Sequence, residues 1–200
     1  MRWNRFVFSS IRRNRKRLVM LLNYKKEGRL LDIGCGECCF VTLANQYFQS
    51  EGIDILPVPI DLCDSTSTPQ ITKADIYDID FEDEVYDVIT SFNLIEHLYD
   101  PHLAIQKIYG GLKPGGVFFG SVPNNSLLIG KIHTFLANLF DSTHCSTFHP
   151  TRWLEYLDGA GFRNILFFGE LLLGSRGFYC MVPKLYQFVS FNLMFLCRKN

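Results

Sequence analysis

Two hydrophobic periods run along this chain. From Trp3 to Leu22, the apolar residues Trp3, Phe6, Phe8, Ile11, Leu18, Val19, Leu21 and Leu22 recur against Arg12, Arg13, Arg15, Lys16 and Arg17. That spacing predicts a basic amphipathic helix. From Glu27 onward, short apolar runs alternate with helical stretches, the pattern of a parallel α/β sheet. Strands are expected around Leu30–Ile33, Gly52–Ile55, Tyr86–Asn93 and Val117–Val122, with a final pair near Asn164–Phe168 and Asn192–Cys197. Helices are expected to open at Cys38 and at Leu94–Leu98, and after a Thr151 cap, ending at Gly159–Gly161. Pro57, Pro59 and Pro69 with Ser65–Thr68 predict a loop between Asp54 and Asp75. The apolar stretch 127–140 and a long excursion over 169–191 are both too interrupted to span a membrane. The excursion is long enough to cover an apolar ligand.

The chemistry concentrates where the first strand ends. In Leu30-Leu31-Asp32-Ile33-Gly34-Cys35-Gly36-Glu37, two apolar residues lead into an acid, and glycines follow it. Glycine permits a sharp turn and lets a ligand approach the backbone. A helix opening just after the turn offers N–H donors and partial positive charge to an anion, while Asp32 prefers a cation. A ligand carrying both a carboxylate and an ammonium suits both ends. A dinucleotide would call for G-x-G-x-x-G, and its third glycine is replaced here by Cys39.

These residues resemble the first motif, D-x-G-x-G-x-G, of the class I S-adenosylmethionine-dependent methyltransferases, with Cys38 standing where the third glycine is expected. Further segments match in order: Gly52-Ile53-Asp54-Ile55, Lys73-Ala74-Asp75-Ile76, Tyr86–Asn93, and Leu112-Lys113-Pro114-Gly115-Gly116 before Val117–Val122. The resemblance covers roughly residues 28–200. It implies an α/β, Rossmann-like, doubly wound sheet of seven strands, mostly parallel with one antiparallel strand near the C-terminus. It implies S-adenosyl-L-methionine as cofactor, held by Asp32, Gly34, Cys35, Gly36, Asp54, Ile55, Asp75, Ile76 and Asn93. By the same resemblance, Asp54 takes the ribose hydroxyls and Asp75 the adenine amino group; Asp61 is an alternative ribose ligand if the second strand runs further.

Bulk properties narrow the rest. Two hundred residues suit one domain, and 48% hydrophobic content supports a packed core rather than disorder. Net charge is zero, yet residues 1–29 carry +9 from ten Lys or Arg and one acid, Glu27. We therefore divide the chain into a basic N-terminal helix, 1–26, and a methyltransferase domain, 27–200. The basic helix reads as an accessory helix with a solvated charged face, the alternatives being membrane-surface contact through residues 2–22 or a lid over an anionic substrate. Basic residues confined to one terminal helix argue against nucleic acid. Seven scattered cysteines without a secretory leader point to a reducing, cytoplasmic setting. Cys35, Cys38 and Cys39 lack the second pair that tetrahedral zinc requires, so no metal is expected.

Methyl transfer needs chiefly alignment, with a base only where the acceptor must lose a proton. His97, just past the fourth strand, and His144 are the candidate bases. Some relatives hold a metal through E-x-x-E-H; here Asn93 replaces the first carboxylate, leaving Glu96 and His97. The expected reaction is O- or N-methylation of a small-molecule or lipid- or glycan-linked acceptor. A methyltransferase fold kept only for binding, using the basic helix as its partner surface, is the alternative.

Overall fold

The computed structural model describes residues 3–56, 69–81, 84–126, 148–173, 178–183, 190 and 192–200. Its elements run α1 (Trp3–Leu22), β1 (Arg29–Ile33), α2 (Cys39–Ala44), β2 (Gln49–Asp54), β3 (Gln70–Lys73) and β4 (Tyr86–Phe92). A 3₁₀ turn (Ile95–His97), α3 (Pro101–Gly111), β5 (Leu112–Pro123), α4 (Pro150–Gly159), β6 (Arg163–Leu173), β7 (Phe178–Pro183) and β8 (Asn192–Arg198) complete it. The strands form one sheet in the order β3-β2-β1-β4-β5-β8-β6-β7. β1 to β5 pair in parallel, and β8 runs antiparallel to both β5 and β6. The expected mostly parallel sheet of seven strands is thus present, and β7 adds an eighth by pairing antiparallel with the outer edge of β6.

Strand alternation divides the core in two. Leu30, Val88, Val117, Phe119 and Met194 face one side, where Leu18 and Leu21 of α1 and Phe40 and Ala44 of α2 cover them. Leu31, Ile89, Phe118 and Phe195 face the other, beneath Ile105 and Ile108 of α3 and Trp153 and Leu157 of α4. The sheet order reverses between β1 and β4, and ligands of open α/β sheets bind at such a switch point, beyond the carboxyl ends of the strands.

Several local expectations are corrected. The segment after β4 makes only a 3₁₀ turn, and α3 begins at Pro101 once Asp100 caps it by accepting the Leu103 N–H at 2.9 Å. α4 is capped by His149, whose side chain accepts from the Thr151 N–H, so Pro150 takes the first helical position. The Leu112–Gly116 turn is absorbed into β5 as an irregularity, with Tyr86 opposite Leu112 but Val88 opposite Val117. Much of the supposed excursion after Gly169 is strand: β6 continues to Leu173 and β7 returns over Phe178–Pro183. The predicted loop over 57–68, with Asp61, and the apolar stretch 127–140 lie outside the described residues.

Candidate active site

Two clefts open at the carboxyl ends of β1, β2 and β4 and share Gly34. The larger, about 240 Å³, is lined by Asp54, Ile55, Asp75, Ile76, Tyr77 and His97 among others. The smaller, about 140 Å³, lies under α1 and is lined by Arg13, Asn14, Arg17, Asp32, Cys35 and Asn93 among others. Of the predicted cofactor residues, Asp54, Ile55, Asp75 and Ile76 fall in the first and Asp32, Cys35 and Asn93 in the second, with Gly34 at the junction. Gly36 sits in the turn itself, its N–H donating to Asp54 Oδ2 at 2.8 Å. His97 lines the larger cleft, and His144 lies outside the described residues.

The turn is built as the glycines suggest. Gly34 has φ +72°, and a Cβ there would meet Leu94 Cδ2 at 2.9 Å. Gly36 has φ +50° with open space around a virtual Cβ, leaving room for a ligand against the backbone. Cys38 is fully buried at φ 57°, so it keeps the left-handed backbone that glycine adopts most easily. The turn's N–H groups, however, are already engaged. Gly34 and Cys35 donate to Ile53 O at 2.8 and 3.1 Å, and Gly36 donates to Asp54. Positive charge at the smaller cleft comes instead from α1, through Arg13 and Arg17. Sequence periodicity assigned those residues to a solvated face. Arg12, Arg15 and Lys16 are indeed exposed, but Arg17 is only 3% exposed.

Introducing a side chain at Gly34 makes the first prediction. Gly34→Ala pairs a left-handed backbone with a close contact, together costing about 1–3 kcal/mol. Thermal unfolding should record a Tm several degrees lower.

Acidic groups in the clefts differ in state. Burial pushes the Asp32 carboxyl up to about 7, against the Thr90 hydroxyl, which donates to Asp32 Oδ1 at 2.7 Å, and against the charge of Arg17. Asp54 Oδ1 also accepts the Leu56 N–H at 2.9 Å, and Asp75 Oδ1 accepts the Tyr77 N–H at 3.0 Å. Each carboxylate oxygen can take a second donor, so both acids keep capacity for a ligand. Tyr77 is fixed by exchanging hydrogen bonds with the Asp100 backbone and stacks with Tyr99 at 4.2 Å between centroids. Glu96 is buried, and burial raises its carboxyl to about 8. It is therefore largely neutral at pH 7. Among the described residues no cluster of His, Cys, Asp or Glu is arranged to hold a metal.

This cradle fits S-adenosylmethionine. Hydroxyl and amino donors of an adenosine match Asp54 and Asp75, and the charged cleft beyond Gly34, with acids and arginines facing one another, matches a zwitterionic amino acid. Comparison with known proteins agrees: a methyltransferase-domain family model matches residues 3–166. The chain belongs to the methyltransferase-domain family. It shares 32% identity over 111 residues with the ubiquinone biosynthesis O-methyltransferase of Histophilus somni, covering 50% of this chain and 47% of that protein. A sterol 24-C-methyltransferase of Clavispora lusitaniae is 30% identical over 113 residues, 50% of this chain and 29% of that protein. The chain spans about half the length or less of these curated relatives. Among solved structures, a methyltransferase from Thermotoga maritima superimposes with TM-score 0.74 at 16% identity, over 94% of this chain and 89% of that one. The Haemonchus contortus phosphoethanolamine N-methyltransferase 2, solved with S-adenosyl-L-methionine, gives TM-score 0.68 at 16% identity, over 92% of this chain and 52% of that one. The family model spans α1 as well as β1 to β5 and the start of β6, consistent with Leu18 and Leu21 packing into the core.

Proposed function

We propose that this methyltransferase transfers the methyl group of S-adenosylmethionine to an oxygen, or alternatively a nitrogen, of a small apolar or lipid-linked acceptor. The observation that carries this reading is the pair of clefts meeting at Gly34, one suited to adenosine and the other to a zwitterion. Asp54 and Asp75 hold the nucleoside; Asp32 takes the ammonium, with Arg13 and Asn14 across the cleft for the carboxylate. When bound, the cofactor supplies a methyl carbon already activated by a sulfonium. The chain's contribution is then alignment, which can lower a barrier by about 7–11 kcal/mol. We assign to His97, which lines the larger cleft with Leu94, Leu98 and Tyr99, the role of accepting a proton from a hydroxyl acceptor. The similarity to ubiquinone and sterol methyltransferases supports an apolar acceptor, and an oxygen nucleophile follows the likeness to the ubiquinone biosynthesis O-methyltransferase.

A cytoplasmic protein touching the membrane through α1 fits such an acceptor. Arg12, Arg15 and Lys16 are exposed on that helix beside Val19, which is 64% exposed, a combination that suits an anionic lipid surface. No helix among the described residues is long and apolar enough to cross a membrane. Incubation with methyl-labelled cofactor and a panel of prenylated phenols tests the acceptor. Transfer to phenolic oxygen that falls at least tenfold in His97→Ala is the expected result. Transfer only to amines would select the nitrogen alternative, and none to any acceptor by protein that binds the cofactor would contradict the proposal.

A pH dependence follows. The groups that act on Asp32 are Arg17 of α1, Asp54 of β2, Thr90 of β4 and the Cys35 and Cys38 thiols. Because the cofactor's ammonium favours ionised Asp32, Kd should fall close to tenfold per pH unit below about 7 and level off above it. Asp32→Asn should flatten the profile, as equilibrium dialysis between pH 5.5 and 8.5 will record. Stability of the ligand-free protein runs the other way. Asp32 and Glu96 both bind protons more tightly folded than unfolded, so the stability they confer is present in acid and lost as pH rises toward 7–8.

A further inference from the structure

Arg17 is held more firmly than an accessory helix requires. Its Nε and Nη2 donate to Oε1 and Oε2 of Glu170 at 3.0 and 2.9 Å, and both side chains are 3% exposed. Glu170 lies on β6, 153 residues along the chain, and also accepts Asn192 Nδ2 of β8 at 2.8 Å. Burial alone would raise the Glu170 carboxyl, but Arg17 holds it below the usual range, so the pair is ionic. The guanidinium then continues toward the site. Nη2 donates to Ser121 Oγ at 3.5 Å, and the guanidinium carbon lies 4.3 Å from the centroid of the Phe92 ring. Ser121 Oγ donates in turn to Asn93 Oδ1 at 3.1 Å, and Ser121 O accepts the Asn93 N–H at 2.9 Å. Asn93 has φ +53°, a left-handed conformation that its neighbours must hold.

A buried ion pair is a poor anchor, since apolar residues of similar volume often hold two elements together as well or better. What the ion pair adds here is direction. It fixes a fork of donors against the carboxyl ends of β4 and β5, where Arg17 and Asn93 line the same cleft under α1. We propose that Arg17, locked by Glu170, is a positioning residue: through Ser121 it sets Asn93 and seats α1 as the wall of the amino-acid end of the cofactor cleft. This inference rests on reading that cleft as the S-adenosylmethionine site.

The test compares two ligands on the full chain: S-adenosylhomocysteine, which carries the amino-acid portion, and 5′-methylthioadenosine, which lacks it. The double variant Arg17→Met/Glu170→Leu replaces the pair by apolar side chains, and Ser121→Ala removes only the intermediate hydroxyl. Wild-type protein should bind both ligands. The double variant should bind methylthioadenosine as wild type does and S-adenosylhomocysteine at least tenfold more weakly, with Ser121→Ala losing about threefold for the latter alone. Arg17→Lys should recover part of the loss, since it restores charge without the fork. Wild-type affinity for both ligands in a folded double variant, or in Ser121→Ala, overturns the proposal and leaves Arg17 a structural anchor. Equal weakening of both ligands overturns it too, as a general distortion. Wild-type protein that binds neither ligand removes the cofactor reading itself.

Discussion

Replacing Asp54 by Ala is expected to weaken S-adenosylmethionine binding by two orders of magnitude or more. The carboxylate has two tasks in one place. It accepts the Gly36 N–H at 2.8 Å and the Leu56 N–H at 2.9 Å, which holds the turn between the clefts. It also lines the larger cleft, where ribose hydroxyls would take its remaining lone pairs. Hydrogen bonds to a charged group contribute about 1.5–3 kcal/mol each, so losing two to the ligand accounts for a hundredfold or more. Loss of the brace on Gly36 adds to that. Asp54→Asn keeps the shape and some accepting capacity, and it should fall between wild type and Ala. Competition binding with labelled cofactor checks the order of the three. Equal affinity of Asp54→Ala and wild type would place the nucleoside elsewhere.

The second large effect concerns stability. Glu170→Leu leaves the Arg17 guanidinium buried without its carboxylate, and breaking such a pair costs about 3–5 kcal/mol. For a chain of this size that corresponds to a fall in Tm of roughly 10 °C. Removing both charges together, as Arg17→Met/Glu170→Leu, should recover most of the loss, because no charge is then stranded. Calorimetric melting of the two variants beside wild type measures the difference. A single variant as stable as the wild type would mean that water reaches Arg17.

Much of this was legible from residue order. β1, β2, β4 and β5 announce themselves as apolar runs, and an acid or a glycine marks the carboxyl end of β1 and β2, where the site lies. The span of α1 is readable because its apolar positions persist over 20 residues without a breaker. Its environment is not. Periodicity places Arg12, Arg13, Arg15, Lys16 and Arg17 on one face, but it cannot say that Arg17 is buried against a carboxylate on β6. Glu170 falls in the expected excursion after Phe168 and becomes a strand residue because β6 runs on past Gly169. Val19, grouped with the apolar face, is exposed for the same reason: adjacent apolar residues cannot all share one stripe. The motif glycines were read correctly as a turn, but the hydrogen bonding of the turn's own N–H groups was not legible. The turn satisfies them internally, through Ile53 and Asp54, a pairing that depends on the register of β1 against β2. The backbone at Cys38 was equally out of reach, because a residue type reveals that glycine is missing but not that its φ is kept.

We propose that the joined clefts at Gly34 hold S-adenosylmethionine rather than a dinucleotide. Isothermal titration of cofactor-free protein with S-adenosylhomocysteine and, separately, with NAD decides it. One site of micromolar affinity for S-adenosylhomocysteine and no measurable heat with NAD are expected. Folded, cofactor-free protein that binds NAD, or that leaves S-adenosylhomocysteine unbound, would contradict it.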